Sequence, residues 1–189
     1  MLGYNQPLLP VNGLKENLYA TLRIALHNSF TEWRADDTEA ETQKAIQQLL
    51  YNMQLNRHIQ PQELDKQFNA FWPFIVEQYA PASITKELPL RQVSPNNGSI
   101  TSGIAEMVLD TEDGLILIDH KTFPGHFNPM ALNPEHDHYA GKYGSQLLLY
   151  KQMLEDATGK RVVKMLLHYV VQGRGGAAVS GATFFLGRH

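Results

Sequence analysis

The 189-residue chain contains no cysteine. Disulfide frameworks, thiolate zinc sites, cysteine-ligated iron–sulfur clusters and cysteine nucleophiles are therefore excluded. Long apolar runs are also missing, since none approaches the ~20 residues that a membrane helix needs. The opening Met1-Leu2-Gly3-Tyr4-Asn5-Gln6-Pro7 has neither the basic start nor the apolar stretch of a signal peptide. Together these absences predict a protein of a reducing, cytoplasmic setting with no membrane partner. No phosphate-binding Walker loop and no G-x-S-x-G elbow occurs, and Gly173-Arg174-Gly175-Gly176 has no strand–loop–helix context to make it a nucleotide site. What remains is ordinary globular material, 43% hydrophobic and 19% charged, enough to bury a sizeable core.

Charge is unevenly spread around a net of −3. Residues 1–138 hold 9 Lys/Arg against 17 Asp/Glu, and residues 139–189 hold 7 against 2. A basic C-terminal third (Lys142, Lys151, Lys160, Lys164) could serve a polyanion, although charge scatter of this size also arises by chance.

The element order reads helices, three strands, a helix, two strands. Asn12 is placed to cap a helix with Leu14, Leu18, Leu22, Leu26, Phe30 and Trp33 at helical spacing. Thr38 and Glu41 form a capping-box pattern before a second helix through Ala45, Ile46, Leu49, Leu50 and Met53. A third begins near Pro61, burying Leu64, Phe68, Phe71, Phe74 and Ile75, and Pro73 is expected to kink or split it. Strands are expected over 87–93, 99–110 and 115–122, the last two joined by Thr111-Glu112-Asp113-Gly114. A Pro-, Asn- and His-rich loop covers 123–138. A helix over 139–157 ends at Gly159, a strand follows over 161–171, then a turn at 173–176 and a last strand over 177–186. This is an α+β pattern with a mixed central sheet: a helical segment over 1–80 packing on a core over 81–189.

The central hairpin carries the chemistry. A strand of Leu and Ile ends in Asp119-His120-Lys121, and its partner places Glu106 among Ile104, Ala105, Met107 and Val108. Alternation puts Asp119 and Lys121 on one face and His120 on the other. If Asp110 pairs with Leu115, Glu106 falls opposite Asp119, with Cβ atoms ~5 Å apart. Two carboxylates and an ammonium in an apolar sheet must be paired with one another or with a cation. One reading is a hard divalent ion, Mg²⁺ or Mn²⁺, serving phosphodiester hydrolysis, with Lys121 orienting or deprotonating the attacking water. The other is a structural ion pair capping the strand, and spacing alone does not separate them. His120, His126, His136 and His138 lack the spacing of a zinc site.

The pattern Gly103-x-x-Glu106, a hairpin, Ile118-Asp119-His120-Lys121-Thr122, then Gln146-Leu147-Leu148-Leu149-Tyr150 resembles the PD-(D/E)XK nucleases. More closely, it resembles the RecB/AddA-type nuclease domain at the C-terminus of UvrD/Rep-like helicases. Lys121-Thr122-Phe123-Pro124-Gly125 is similar to the K-S-F-P-G continuation of one bacterial branch, and Lys86-Glu87-Leu88-Pro89-Leu90 to its E-x-P entry into the first strand. Ala25-Leu26-His27-Asn28-Ser29-Phe30 fits the family's helix-borne histidine, with Arg23 where the family usually has glycine.

The resemblance implies a restriction-endonuclease-like fold with an αβββαβ core. It implies metal ligands His27, Glu106 (where the family usually has Asp), Asp119 and the His120 backbone carbonyl. Lys121 would be catalytic, and Gln146 and Tyr150 would hold the hairpin or touch the DNA backbone. The activity implied is a Mg²⁺- or Mn²⁺-dependent, exonuclease V-like deoxyribonuclease without an iron–sulfur cluster. Its partners would be single-stranded DNA, a helicase motor in the same polypeptide or complex, and a second nuclease/helicase subunit in double-strand break repair. The rivals are a catalytically degenerate domain of the same fold that binds DNA or a subunit, and an unrelated metal-dependent phosphohydrolase.

Overall fold

The computed structural model describes residues 18–32, 38–94, 96–121, 138–170, 174–177 and 185–186. Asn12, Leu14, Trp33, most of the 123–138 loop with His126 and His136, and the side chains of His138 and Lys142 lie outside this set.

Among the described residues, three helices come first. Helix α1 (Tyr19–Glu32) buries Leu22, Ala25, Leu26 and Phe30, the i, i+3, i+4, i+8 stripe expected of a one-sided helix. Helix α2 (Glu39–Asn52) opens on the expected capping box: the Glu41 amide donates to Thr38 Oγ1 at 3.3 Å, and the Thr38 amide donates to the Glu41 carboxylate at 2.9 Å. Helix α3 (Pro61–Tyr79) starts on a proline, whose missing N–H costs nothing there, and ends at Ala80 in the left-handed conformation. Pro73 does not split it. The helix runs unbroken for 19 residues, and the Pro73 ring lies on its exposed side, where solvent can meet the unpaired carbonyl.

Among the described residues, six strands form one sheet in sequence order: β1 (Ser83–Val93), β2 (Ile100–Thr111), β3 (Gly114–Lys121), β4 (Val162–Tyr169), β5 (Arg174–Ala177) and β6 (Phe185–Leu186). Every adjacent pair is antiparallel except β3–β4, which is parallel. Helix α4 (His138–Thr158) lies in the β3–β4 connection, as a parallel crossover requires. The protein is thus α+β with a mixed sheet.

Three boundaries differ from the sequence expectation. Strand β1 begins at Ser83 rather than 87, because Ser83–Lys86 find partners in Asp110–Met107. The β2–β3 turn is tighter than four residues: Thr111 and Gly114 still pair, and Thr111 Oγ1 donates to the Gly114 carbonyl at 2.7 Å. The glycine-rich 174–177 is strand β5, not a turn. Its glycines give no local strand signal, and the edge of β4 supplies the ladder.

Two cores sandwich the sheet. On one face Met107, Leu109, Ile116, Ile118 and Leu166 pack against α1–α3 through Leu26, Phe30, Leu50, Phe68 and Ile75. On the other Val108, Leu115, Leu117 and Leu167 pack against α4 through Leu147, Met153 and Leu154. Strand β3 is therefore covered on both sides, which explains its continuous apolar run.

Candidate active site

The hairpin register is the one that aligns Glu106 with Asp119. Met107 pairs with Ile118, Leu109 with Ile116 and Asp110 with Leu115, so Glu106 is next in line opposite Asp119. The ladder stops one pair short of them. There the side chain of Glu106 takes over, and its Oε2 accepts the His120 amide at 2.5 Å. Beyond this point β3 is held from its other side by β4, with Asp119 beside Leu167 and Lys121 beside Tyr169.

Simple alternation does not carry Glu106 along the Val108 face. Lys86 and Met107 pair across β1–β2, as do Leu88 and Ala105, and residues two apart should share a face. Yet Met107 packs into the α1–α3 core and Lys86 lies 4.8 Å above the Trp72 ring, while Ala105 and Leu88 pack into the α4 core. The faces exchange at Glu87 and Glu106, the one position missing from the ladder, where Glu87 has φ of 51°. That exchange opens the sheet beside Asp119 and lets α1 reach in.

Helix α1 delivers His27. Its Nε2 lies 3.1 Å from Glu87 Oε2, and its Nδ1 lies 3.5 Å from Glu106 Oε1. The Glu106 hydrogen bond and charge, with the Glu87 charge, hold the imidazole above its usual range against the opposing effect of burial. Asp119 and Lys121 are both buried and form an ion pair. Burial and the Glu106 charge push the Asp119 carboxyl up to about 6, despite the opposing pull of Lys121 and of Arg23 on α1. Four of the residues expected at the site, His27, Glu106, Asp119 and Lys121, thus come from three elements to one end of β3.

His120 points the other way, as alternation requires. It is fully buried, stacked on Phe30 with ring centroids 4.4 Å apart, and its Nδ1 meets Nδ1 of His168 at 2.8 Å. One ring donates and the other accepts, so the two neutral rings hold opposite Nδ1 protonation. Burial drives both far toward the neutral form, His168 to about 3. This pair is core, and only the His120 backbone faces the site. Because the folded state resists protonating both rings, their contribution to stability is present above about pH 6.5 and is lost as pH falls below it. A His168→Gln variant is therefore expected to lose less melting temperature than the wild type between about pH 6.5 and pH 4, the difference being the contribution of the pair.

Gln146 and Tyr150 meet on α4, where Gln146 Nε2 donates to Tyr150 Oη at 3.0 Å. The tyrosine ring covers Gly103. A methyl group built there would come within 2.6 Å of the ring's Cζ. This joins the two motifs physically: glycine is needed three residues before Glu106 so that a ring one turn from Gln146 can sit on β2. The pair braces the hairpin. Gly103→Ala should cost about 1–3 kcal/mol in chemical denaturation, and Tyr150→Ala in the same background should recover part of it.

Sequence reasoning gave Glu87 and Arg23 no role at the site, although Glu87 stood in the E-x-P entry to the first strand and Arg23 one turn before His27, at the position of the expected glycine.

No family model and no curated protein matches this chain.

Among the described residues, no three His, Asp or Glu side chains already stand in ligating geometry. Their charges are met instead by protein groups: Lys121 on Asp119, the His120 amide on Glu106, and Glu87 on His27. The donor set nevertheless suits a hard cation. Two carboxylates and an imidazole, without thiolates, favour Mg²⁺ or Mn²⁺. A carboxyl whose ionisation is opposed by burial and by a neighbouring carboxylate is one that a cation would relieve.

Proposed function

We propose that this chain is a Mg²⁺- or Mn²⁺-dependent deoxyribonuclease domain of the restriction-endonuclease-like, PD-(D/E)XK class. We place it with the RecB/AddA type, acting on single-stranded DNA supplied by a UvrD/Rep-like helicase motor. The observation that carries this reading is the opened end of the β2–β3 ladder. There Glu106 binds the amide of the residue between Asp119 and Lys121, and His27 closes the third side.

His27, Glu106, Asp119 and the His120 carbonyl oxygen would hold the cation. When bound, it would supply charge neutralisation on the phosphoryl group and an acidified water. Lys121 is held by Asp119 at the apolar end of a strand, where an ammonium is worth more than in water. From there it would orient the attacking water and stabilise the negative charge that builds on the phosphorus oxygens. The partner β4 and the His120–His168 core behind the strand keep this geometry fixed, as a preorganised site requires. Exposed Lys160, with half-exposed Lys151 and Lys164, would contact the DNA backbone.

A labelled single-stranded oligonucleotide incubated with the protein should be cut in Mg²⁺ or Mn²⁺ and remain whole in EDTA. Binding without cutting in either metal would instead make the chain a degenerate DNA-binding domain. Turnover of nucleotides but not of polymers would make it a small-substrate phosphohydrolase.

A further inference from the structure

Glu87 is the residue at this end of the sheet that the proposed chemistry leaves without a task. Its backbone sits at φ of 51°, a conformation that a glutamate enters only when the surroundings impose it. It is skipped by the β1–β2 register while its neighbours Lys86 and Leu88 are paired. What the distortion achieves is a change of aim. The faces of β1 and β2 exchange at this point, and the Glu87 carboxylate meets the ring of His27, 60 residues earlier in the chain, at 3.1 Å.

The chemistry of that contact fixes the ring. An ionised carboxylate can only accept, so Nε2 of His27 must carry the proton that bridges to Glu87. Nδ1 is then the nitrogen left facing Glu106, 3.5 Å away, and it is the one that becomes free to ligate when its proton leaves. A ring so held cannot flip without breaking the Glu87 bond.

We infer that Glu87 is a positioning residue: it binds Nε2–H of His27 and so sets Nδ1 as the nitrogen that ligates the divalent cation. The inference rests on the cation-site reading above. Glu87 itself does not touch the cation. It acts through the imidazole, in the manner of the outer carboxylates that orient metal-bound histidines, whose loss weakens metal binding by about 10–100-fold.

The test is a double-mutant cycle read by Mn²⁺ binding, using electron paramagnetic resonance of free Mn²⁺ on the full chain. Glu87→Gln keeps the shape and removes the charge. Melting curves confirm that each variant is folded. Glu87→Gln should raise the Mn²⁺ dissociation constant about tenfold. His27→Ala should raise it at least as much, and adding Glu87→Gln to His27→Ala should change nothing further. A general disturbance of the sheet would persist in the His27→Ala background, so additivity there would overturn the inference, as would an unchanged constant for Glu87→Gln alone. If His27→Ala itself binds Mn²⁺ like the wild type, the cation-site reading fails first and takes this inference with it.

Discussion

Replacing Lys121 with glutamine should lower the rate of single-strand cleavage by about 10²–10⁴-fold, the usual worth of a positioned proton-transfer or charge-stabilising group. Glutamine is close in length, so the strand end stays filled and the loss reports the ammonium. The same change should leave Mn²⁺ affinity equal or tighter. Lys121 is the cation that Asp119 already holds, and an incoming metal must compete with it for that carboxylate. Asp119→Asn should behave differently, losing cleavage and Mn²⁺ binding together. Initial rates on a labelled oligonucleotide, set beside Mn²⁺ titrations of the same preparations, separate the two patterns. A Lys121→Gln variant that cuts at the wild-type rate would remove Lys121 from the mechanism.

Cation affinity should rise steeply with pH and then level off. Asp119 must be ionised to ligate, and burial and Glu106 have moved its carboxyl up to about 6. His27 must lose the proton on its ligating nitrogen, and its neighbouring carboxylates hold that proton above the usual imidazole range. Both shifts act in one direction. Binding should strengthen at least tenfold from about pH 5 to pH 6 and flatten only once His27 has also lost its proton. The stability sign follows from Asp119. A carboxyl raised in the folded state favours the fold below its ordinary pKa of 3.8, and that contribution is lost as pH rises through about 6. Metal-free protein therefore carries an uncompensated burial cost at neutral pH, which a bound cation relieves. The rise in melting temperature on adding Mn²⁺ should be larger at about pH 7.5 than at pH 5. A metal-induced shift that shrinks with pH would place the cation away from Asp119.

Local chemistry was readable from the chain wherever one segment decided it. The Thr38–Glu41 capping box and the Gly159 helix end needed only neighbours within a few residues, and each stands in the structure as read, whereas the Asp110–Leu115 register was one of the pairings the sequence allowed. The placement of Asp119 and Lys121 on one side of β3 and His120 on the other followed from the two-residue period. What alternation could not reveal was the exchange of faces at Glu87 and Glu106. That depends on α1, whose His27 meets both carboxylates. For the same reason His120 carried no visible partner in the sequence. His168, 48 residues further on, becomes its neighbour only when β4 pairs in parallel with β3. The glycine in Gly103-x-x-Glu106 was legible as a motif but not as a mechanism. Its purpose became physical only with the Tyr150 ring lying over it.

The central claim is that His27, Glu106 and Asp119 share one cation beside Lys121. Crystals of this chain grown with Mn²⁺ and measured for anomalous scattering at the manganese edge test it directly. The expected result is a peak at about 2.1–2.3 Å from His27 Nδ1, a Glu106 oxygen, an Asp119 oxygen and the His120 carbonyl, with the Lys121–Asp119 contact lengthened. A strong manganese peak elsewhere on the molecule, with Asp119 still paired only to Lys121, would contradict it.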